Sequence, residues 1–226
     1  HGVSLLEVLN GSLVIPAGWT MTHGANATTK LHVASITVTN GDIIVDGTID
    51  ADARGFSGGG TSVGANGPGG GCVNASGGAG GGRGGNGTDG ENINGFAGGG
   101  TAVTNSFKSP SLPGGAGGAG GSASGCGSAT GGTGGVGGGV VFLRAASAGG
   151  RITVTGTIGA DGTAGGDGVV PGGGVADAGG GGGGAGGTIF LWADNIDGAG
   201  TLRANGGVGG NRTAQSGNPG GYGGGG

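Results

Sequence analysis

One six-residue phrase occurs three times in this chain, as Gly47-Thr48-Ile49-Asp50-Ala51-Asp52, Gly156-Thr157-Ile158-Gly159-Ala160-Asp161 and Gly200-Thr201-Leu202-Arg203-Ala204-Asn205. In an extended chain, successive side chains alternate between two faces. The phrase therefore places Ile or Leu, and then Ala, on one face, and its polar last residue turns the chain away. The copies begin at residues 47, 156 and 200, so they lie 109 and then 44 residues apart. Similar strand phrases separated by insertions of unequal length predict stacked strand units whose excursions project from one side.

Other blocks fit the same reading. Val3–Leu9, Ser12–Pro16, Leu31–Thr39 and Asp42–Ala51 read as short strands, and Ile36-Thr37-Val38-Thr39 alternates with period two. Asn40-Gly41 is a strong turn signal. Val140–Arg144 precedes Ile152-Thr153-Val154-Thr155, and Thr188–Asp194 precedes Thr201–Asn205.

What separates these blocks is glycine, 75 of 226 residues. The strict Gly-X-Y period and the proline content of collagen are missing. Ordering that much glycine carries a large entropic cost with few side chains to offset it, so backbone hydrogen bonding must hold the tracts. Inside them a three-residue step recurs: Ala116, Ala119 and Ser122, then Thr130, Thr133 and Val136, are each separated by Gly-Gly. A polyproline II helix has three residues per turn, which lines one edge with side chains and leaves two edges bare for close packing. The expectation is sheaves of short polyglycine II struts.

The fold class expected is therefore all-β, with almost no α-helix: a short-strand β-solenoid or β-sandwich-like units with inserted polyglycine II helix bundles. Along the chain this gives β units at 1–54, 140–160 and 188–205. Glycine-rich insertions occupy 55–139 and 161–187, and a glycine-rich tail occupies 206–226, all within one continuous domain. The Gly-Gly-X runs resemble the polyglycine II bundles of springtail antifreeze proteins and of the receptor-binding adhesins on T-even-like phage tail fibres. The strand units resemble large, repetitive, glycine-rich surface proteins of microbes. Neither resemblance carries over a catalytic or binding residue.

Charge and chemistry narrow the function further. Charged residues make up 9% of the chain and the net charge is −4, which leaves no basic patch for nucleic acid. No apolar run reaches the ~20 residues that span a bilayer. The chain starts at His1 with neither Met nor a signal-type apolar core, as expected of a processed form or an excerpt. Gly55-Phe56-Ser57-Gly58-Gly59 matches the nucleophile-elbow pattern, but a chain one-third glycine produces such matches by chance, and no His/Asp partner is identifiable. Asp46, Asp50 and Asp52 alternate along a strand and read as a solvated face rather than a Ca²⁺ site. His1, His23 and His32 lack metal-ligand spacing. The expectation is no enzyme, no cofactor and no metal site.

Cys72 and Cys126 are expected to form a disulfide closing about 55 residues, which points to an extracellular or cell-surface setting. Asn-x-Ser/Thr sequons at Asn10, Asn26, Asn74, Asn86 and Asn211 exceed the roughly two that composition predicts and mark candidate glycan acceptors. The N-terminal run Val3, Leu5, Leu6, Val8 and Leu9 carries no blocking charge cluster. It is expected to pair with another protomer or complete a sheet within one, in a homo-oligomer or homopolymer. The function expected is an extracellular structural subunit of a fibre or surface layer. The alternative is a binding module, either an ice binder or a glycan-recognising adhesin using Phe56, Phe96, Phe107 and Tyr222.

Overall fold

The computed structural model describes residues 4–26, 32–58, 131–169, 177–211 and 213–214. In the three main sheets, strands that are distant in sequence lie side by side and parallel, because the chain winds through four successive layers. The first layer is β1 (Ser4–Val8), β2 (Leu13–Ile15) and β3 (Thr20–Thr22), and the second is β4 (Ala34–Val38), β5 (Ile43–Val45) and β6 (Thr48–Asp50). The third is β7 (Val140–Ala145), β8 (Arg151–Val154) and β9 (Thr157–Gly159). After β10 (Asp177–Ala178), the fourth layer is β11 (Thr188–Trp192), β12 (Asn195–Asp197) and β13 (Thr201–Arg203). A short β14 (Thr213–Ala214) pairs antiparallel with β10.

Each layer contributes one strand to each of three four-stranded sheets, ordered β1-β4-β7-β11, β2-β5-β8-β12 and β3-β6-β9-β13. Equivalent residues sit in register. Ile43 faces Ile152, which faces Ile196, while Met21, Ile49, Ile158 and Leu202 form a second column. In these three sheets one face of the strands points inward, so the sheets surround a single core in a barrel-like arrangement. Ile36, Ile43, Ile49, Leu143, Ile152 and Ile158 are fully buried there. Each such side chain contributes roughly 1.5–3 kcal/mol relative to exposure.

This architecture corrects the expected solenoid or sandwich-like units with inserted polyglycine II bundles. No strand unit has its own core: residues from the second and third layers, over a hundred positions apart, share one hydrophobic cluster. A single layer of three short strands has nothing to pack its apolar face against until the next layer covers it. The described glycine segments are not separate inserts either. They run directly into β7 and β11 and out of β9 and β13, and they bond to the layers themselves. The Gly139 N–H donates to the Ala51 carbonyl (2.7 Å) and the Gly187 N–H to that of Ala160 (2.7 Å). Between segments the bonds step by three residues, with Gly132, Gly135 and Gly138 donating to Gly179, Gly182 and Ala185. Glycine is needed for this approach: a Cβ at Gly184 would overlap the Val136 carbonyl. The longest glycine region, 59–130, lies outside the described residues.

The Asn40-Gly41 signal marks a corner rather than a hairpin. It joins β4 to β5, which belong to different sheets. Gly11, Gly41 and Gly149 turn the same corner in three successive layers with φ of 96°, 154° and 75°. The Asn40 side chain donates to the Leu9 carbonyl and to Asn10 Oδ1, both at 3.1 Å.

Candidate functional site

Polar chemistry concentrates at the corners, where side chains of one layer bond the backbone of the next. Ser12 Oγ accepts from the Asp42 N–H (3.0 Å), and Asp42 Oδ1 accepts from the Arg151 N–H (2.9 Å). At the corner that ends the repeated phrase, Asp52 Oδ1 accepts from the Asp161 N–H (2.7 Å), and Asp161 Oδ1 accepts from the Asn205 N–H (2.6 Å). The polar last residue of the phrase is thus a rung in an inter-layer ladder.

Arg203 ties three layers together at that corner. Its guanidinium reaches Asp52 Oδ2 at 2.6 Å in the second layer and Asp161 Oδ2 at 3.1 Å in the third. The intervening position is Gly159, where a Cβ would press on both Asp52 Oδ1 and Arg203 Nη2. The variable position of the phrase, Asp50, Gly159 and Arg203, therefore has a reason: the glycine clears a path for the arginine. The three side chains are 20–41% exposed, so each ion pair contributes at most about 1 kcal/mol. Sequence reasoning missed this clamp. The available signal was the arginine standing where the other copies carry Asp and Gly.

A second constellation is buried. His23 is 5% exposed, with Nδ1 donating to the Gly24 carbonyl (2.7 Å) and Nε2 accepting from the Val140 N–H (3.3 Å). Burial pushes its pKa below the ordinary value, with Arg54 and His32 adding to the effect and the Gly24 carbonyl and Asp50 opposing it. Beside it Asn26, 3% exposed, donates from Nδ2 to the carbonyls of Arg54 (2.5 Å) and His32 (3.1 Å), and its Oδ1 accepts from the His32 N–H. This pair fastens the end of the first layer to the second and third.

A third feature lies on the outer face of the first sheet. Phe142 and Phe190 stack at 4.9 Å between centroids, and the Arg144 guanidinium lies 4.5 Å from the Trp192 ring centroid. Both pairs are register partners on β7 and β11. Their separation along the chain hid them from sequence reasoning.

The sequence-predicted residues are dispersed across these features. Asp46, Asp50 and Asp52 do not converge on one point: Asp46 accepts from Thr155 Oγ1, Asp50 from the Asp52 N–H, and Asp52 binds the clamp. Residues 55–58 lie along the glycine segment 134–137, with Phe56 buried and bridged to Asn26. Of the sequon asparagines, Asn26 has its amide nitrogen engaged, while Asn10 and Asn211 are exposed and Asn74 and Asn86 lie outside the described residues. Leu5, Leu6 and Val8 belong to β1, which pairs with β4 of its own chain, with Leu9 following it. Val3, His1, Phe96, Phe107 and Tyr222 lie outside the described residues, as do Cys72 and Cys126, the two cysteines of the chain. Among the described residues no group of His, Cys, Asp or Glu is placed to hold a metal ion, and no helix is long and apolar enough to cross a membrane.

No protein-family model, curated protein or solved structure matches this chain. The fold corrects the resemblance to springtail antifreeze proteins, phage tail-fibre adhesins and repetitive surface proteins. Three four-stranded parallel sheets around one core, with half-buried ion pairs joining distant layers, describe a folded globular domain, not a repetitive fibre protein. The expected roles of fibre or surface-layer subunit, adhesin or ice binder fall with it. The physical reason is that the described glycine segments bond to one another and to the chain's own layers, so they take part in the same fold rather than stand as separate struts.

Proposed function

We propose that this chain is a non-enzymatic scaffold domain, a layered core that holds chain excursions of very different length at one corner. The observation that supports it is constancy of register across unequal insertions. Backbone-to-carboxylate bonds of the same kind join residues 109 apart (Asp161 to Asp52) and 44 apart (Asn205 to Asp161). The long excursion also leaves and returns at one place: the Gly55 N–H donates to the Gly137 carbonyl (2.6 Å), and the Gly137 N–H donates to that of Phe56 (3.0 Å). The polar side chains described above are engaged in joining layers, which favours support over catalysis.

Excising residues 60–130 and closing the gap with a short glycine linker tests this. The scaffold reading expects a far-ultraviolet spectrum that retains its strand signal and a cooperative melt close to that of the parent. A variant that is unfolded would overturn it, because the core would then depend on the segment it is said to carry.

A further inference from the structure

Residues 23–26, 51–56 and 137–140 meet at the neck where the long excursion leaves and rejoins the core. The Gly139 N–H donates to the Ala51 carbonyl (2.7 Å), and the Asn26 N–H donates to the Arg54 carbonyl (3.0 Å). Neither bond depends on a group that titrates. The bond between His23 and Val140 does. Nε2 of the ring accepts from the Val140 N–H at 3.3 Å, across 117 positions of sequence. A main-chain N–H can only donate and a carbonyl can only accept, so the ring proton sits on Nδ1, facing Gly24, and Nε2 carries none. This contact also takes the place of strand pairing. β7 pairs with β4 from Val141 onward, opposite Ala34, and Val140 lies one residue ahead of that ladder.

We infer that His23 is a pH-sensitive latch: neutral, it fastens the return of the excursion to the end of the first layer, and protonated, it releases Val140 and opens the neck while the core stays closed. This goes beyond the scaffold reading and does not depend on it, since the same contacts part whether or not the core serves to hold excursions. A proton on Nε2 would meet the Val140 N–H donor to donor, on a residue 5% exposed. The ring has no room to adjust in place, because it is wedged against Gly139: a Cβ there would press on Nε2 and on the Arg54 Cβ. Burial disfavours the cation most. Arg54, in the corner after β6, and His32, ahead of β4, add to this, while the Gly24 carbonyl and Asp50 on β6 oppose it. The third segment, 137–140, is Gly-Gly-Gly-Val and brings no charge to relieve the cation. Release therefore falls in mild acid. Opening stops at the core because Val141 and Leu143 are 0% exposed and held in register between β4 and β11.

Residue-resolved amide hydrogen exchange of the full chain, corrected for intrinsic rates, tests the latch. Gly139 and Val140 are expected to be at least about a hundredfold less protected than Leu143 and Ile152, since the neck opens without the core. Their protection should fall about tenfold per pH unit below about pH 6.5, as release takes up one proton. In His23→Gln, whose side-chain oxygen can accept from the Val140 N–H at any pH, that slope should vanish. Should the variant not fold, the His23 ring resonances of the unaltered chain take its place: the fall in protection should level off at the pH where the ring titrates. Protection independent of pH, a neck that exchanges no faster than the core, a slope that survives His23→Gln, or a fall that continues past the titration of the ring would each overturn the latch.

Discussion

The carboxylate of Asp52 accepts a hydrogen bond at 2.7 Å from the backbone N–H of Asp161, the residue that occupies the same place in the next copy of the repeated phrase. Asp52 also receives Arg203 Nη2, so two layers depend on one side chain. Replacing Asp52 with Ala strands a half-buried N–H and one arm of the guanidinium. We expect a loss of about 1–2 kcal/mol. Asp52→Asn, which keeps an acceptor, should lose less. Urea denaturation checks both, read as a lower midpoint at unchanged slope.

Glycine in the packed segments is required by space rather than by turn geometry. A Cβ at Gly184 would run into the Val136 carbonyl and the Gly137 nitrogen, both backbone atoms that cannot rotate away. Gly184→Ala is expected to cost about 3 kcal/mol or more. At Gly149, φ is 75° and nothing lies within 4 Å of the added carbon, so Gly149→Ala meets only backbone strain, about 1–2 kcal/mol. Thermal melts of the two variants should therefore rank Gly184→Ala well below Gly149→Ala.

The inward columns carry the cohesion of the core. Ile152→Ala empties a fully buried position between Ile43 and Ile196 and should cost about 2–5 kcal/mol. Val14→Ala, on the outward face of β2 and nearly half exposed, should cost under about 1 kcal/mol. Equal losses in denaturant titrations would contradict the register described above.

Stability should fall in mild acid because His23 is buried neutral. Its pKa in the fold lies below the ordinary 6.5. The unfolded chain therefore takes up the proton first, and stability rises with pH across that interval. The contribution is fully present above about pH 6.5 and is lost progressively as pH falls toward the folded-state value. Protonation of Nε2 also removes the acceptor for the Val140 N–H. His23→Gln should flatten the pH dependence of the urea midpoint between about pH 7 and 5. A slope unchanged by that substitution would place the titration elsewhere.

Much of the strand content was legible because it is local. Period-two alternation marked Ile36–Val38, and the phrase copies marked β6, β9 and β13. Among the layered strands, two short ones escaped. Thr20–Thr22 and Asn195–Asp197 have three residues each, too few for alternation to register, and they are strands only because a neighbouring layer supplies their partners. The clamp was half legible. The Asp, Asp and Asn ending each copy were visible, but their reach into the next layer was not.

The sequence by itself determined the alternation of strand phrase with glycine and the order in which residues face inward, since side-chain direction in an extended chain follows from covalent geometry. It also determined that few residues carry charge. The tertiary structure alone decided that all the layered strands run parallel and that one core serves every layer. It decided too that glycine segments pack on one another and on the layers, and that Arg203 crosses Gly159 to reach Asp52. These are contacts between residues tens to more than a hundred positions apart, and no local preference encodes which distant strand will complete a sheet.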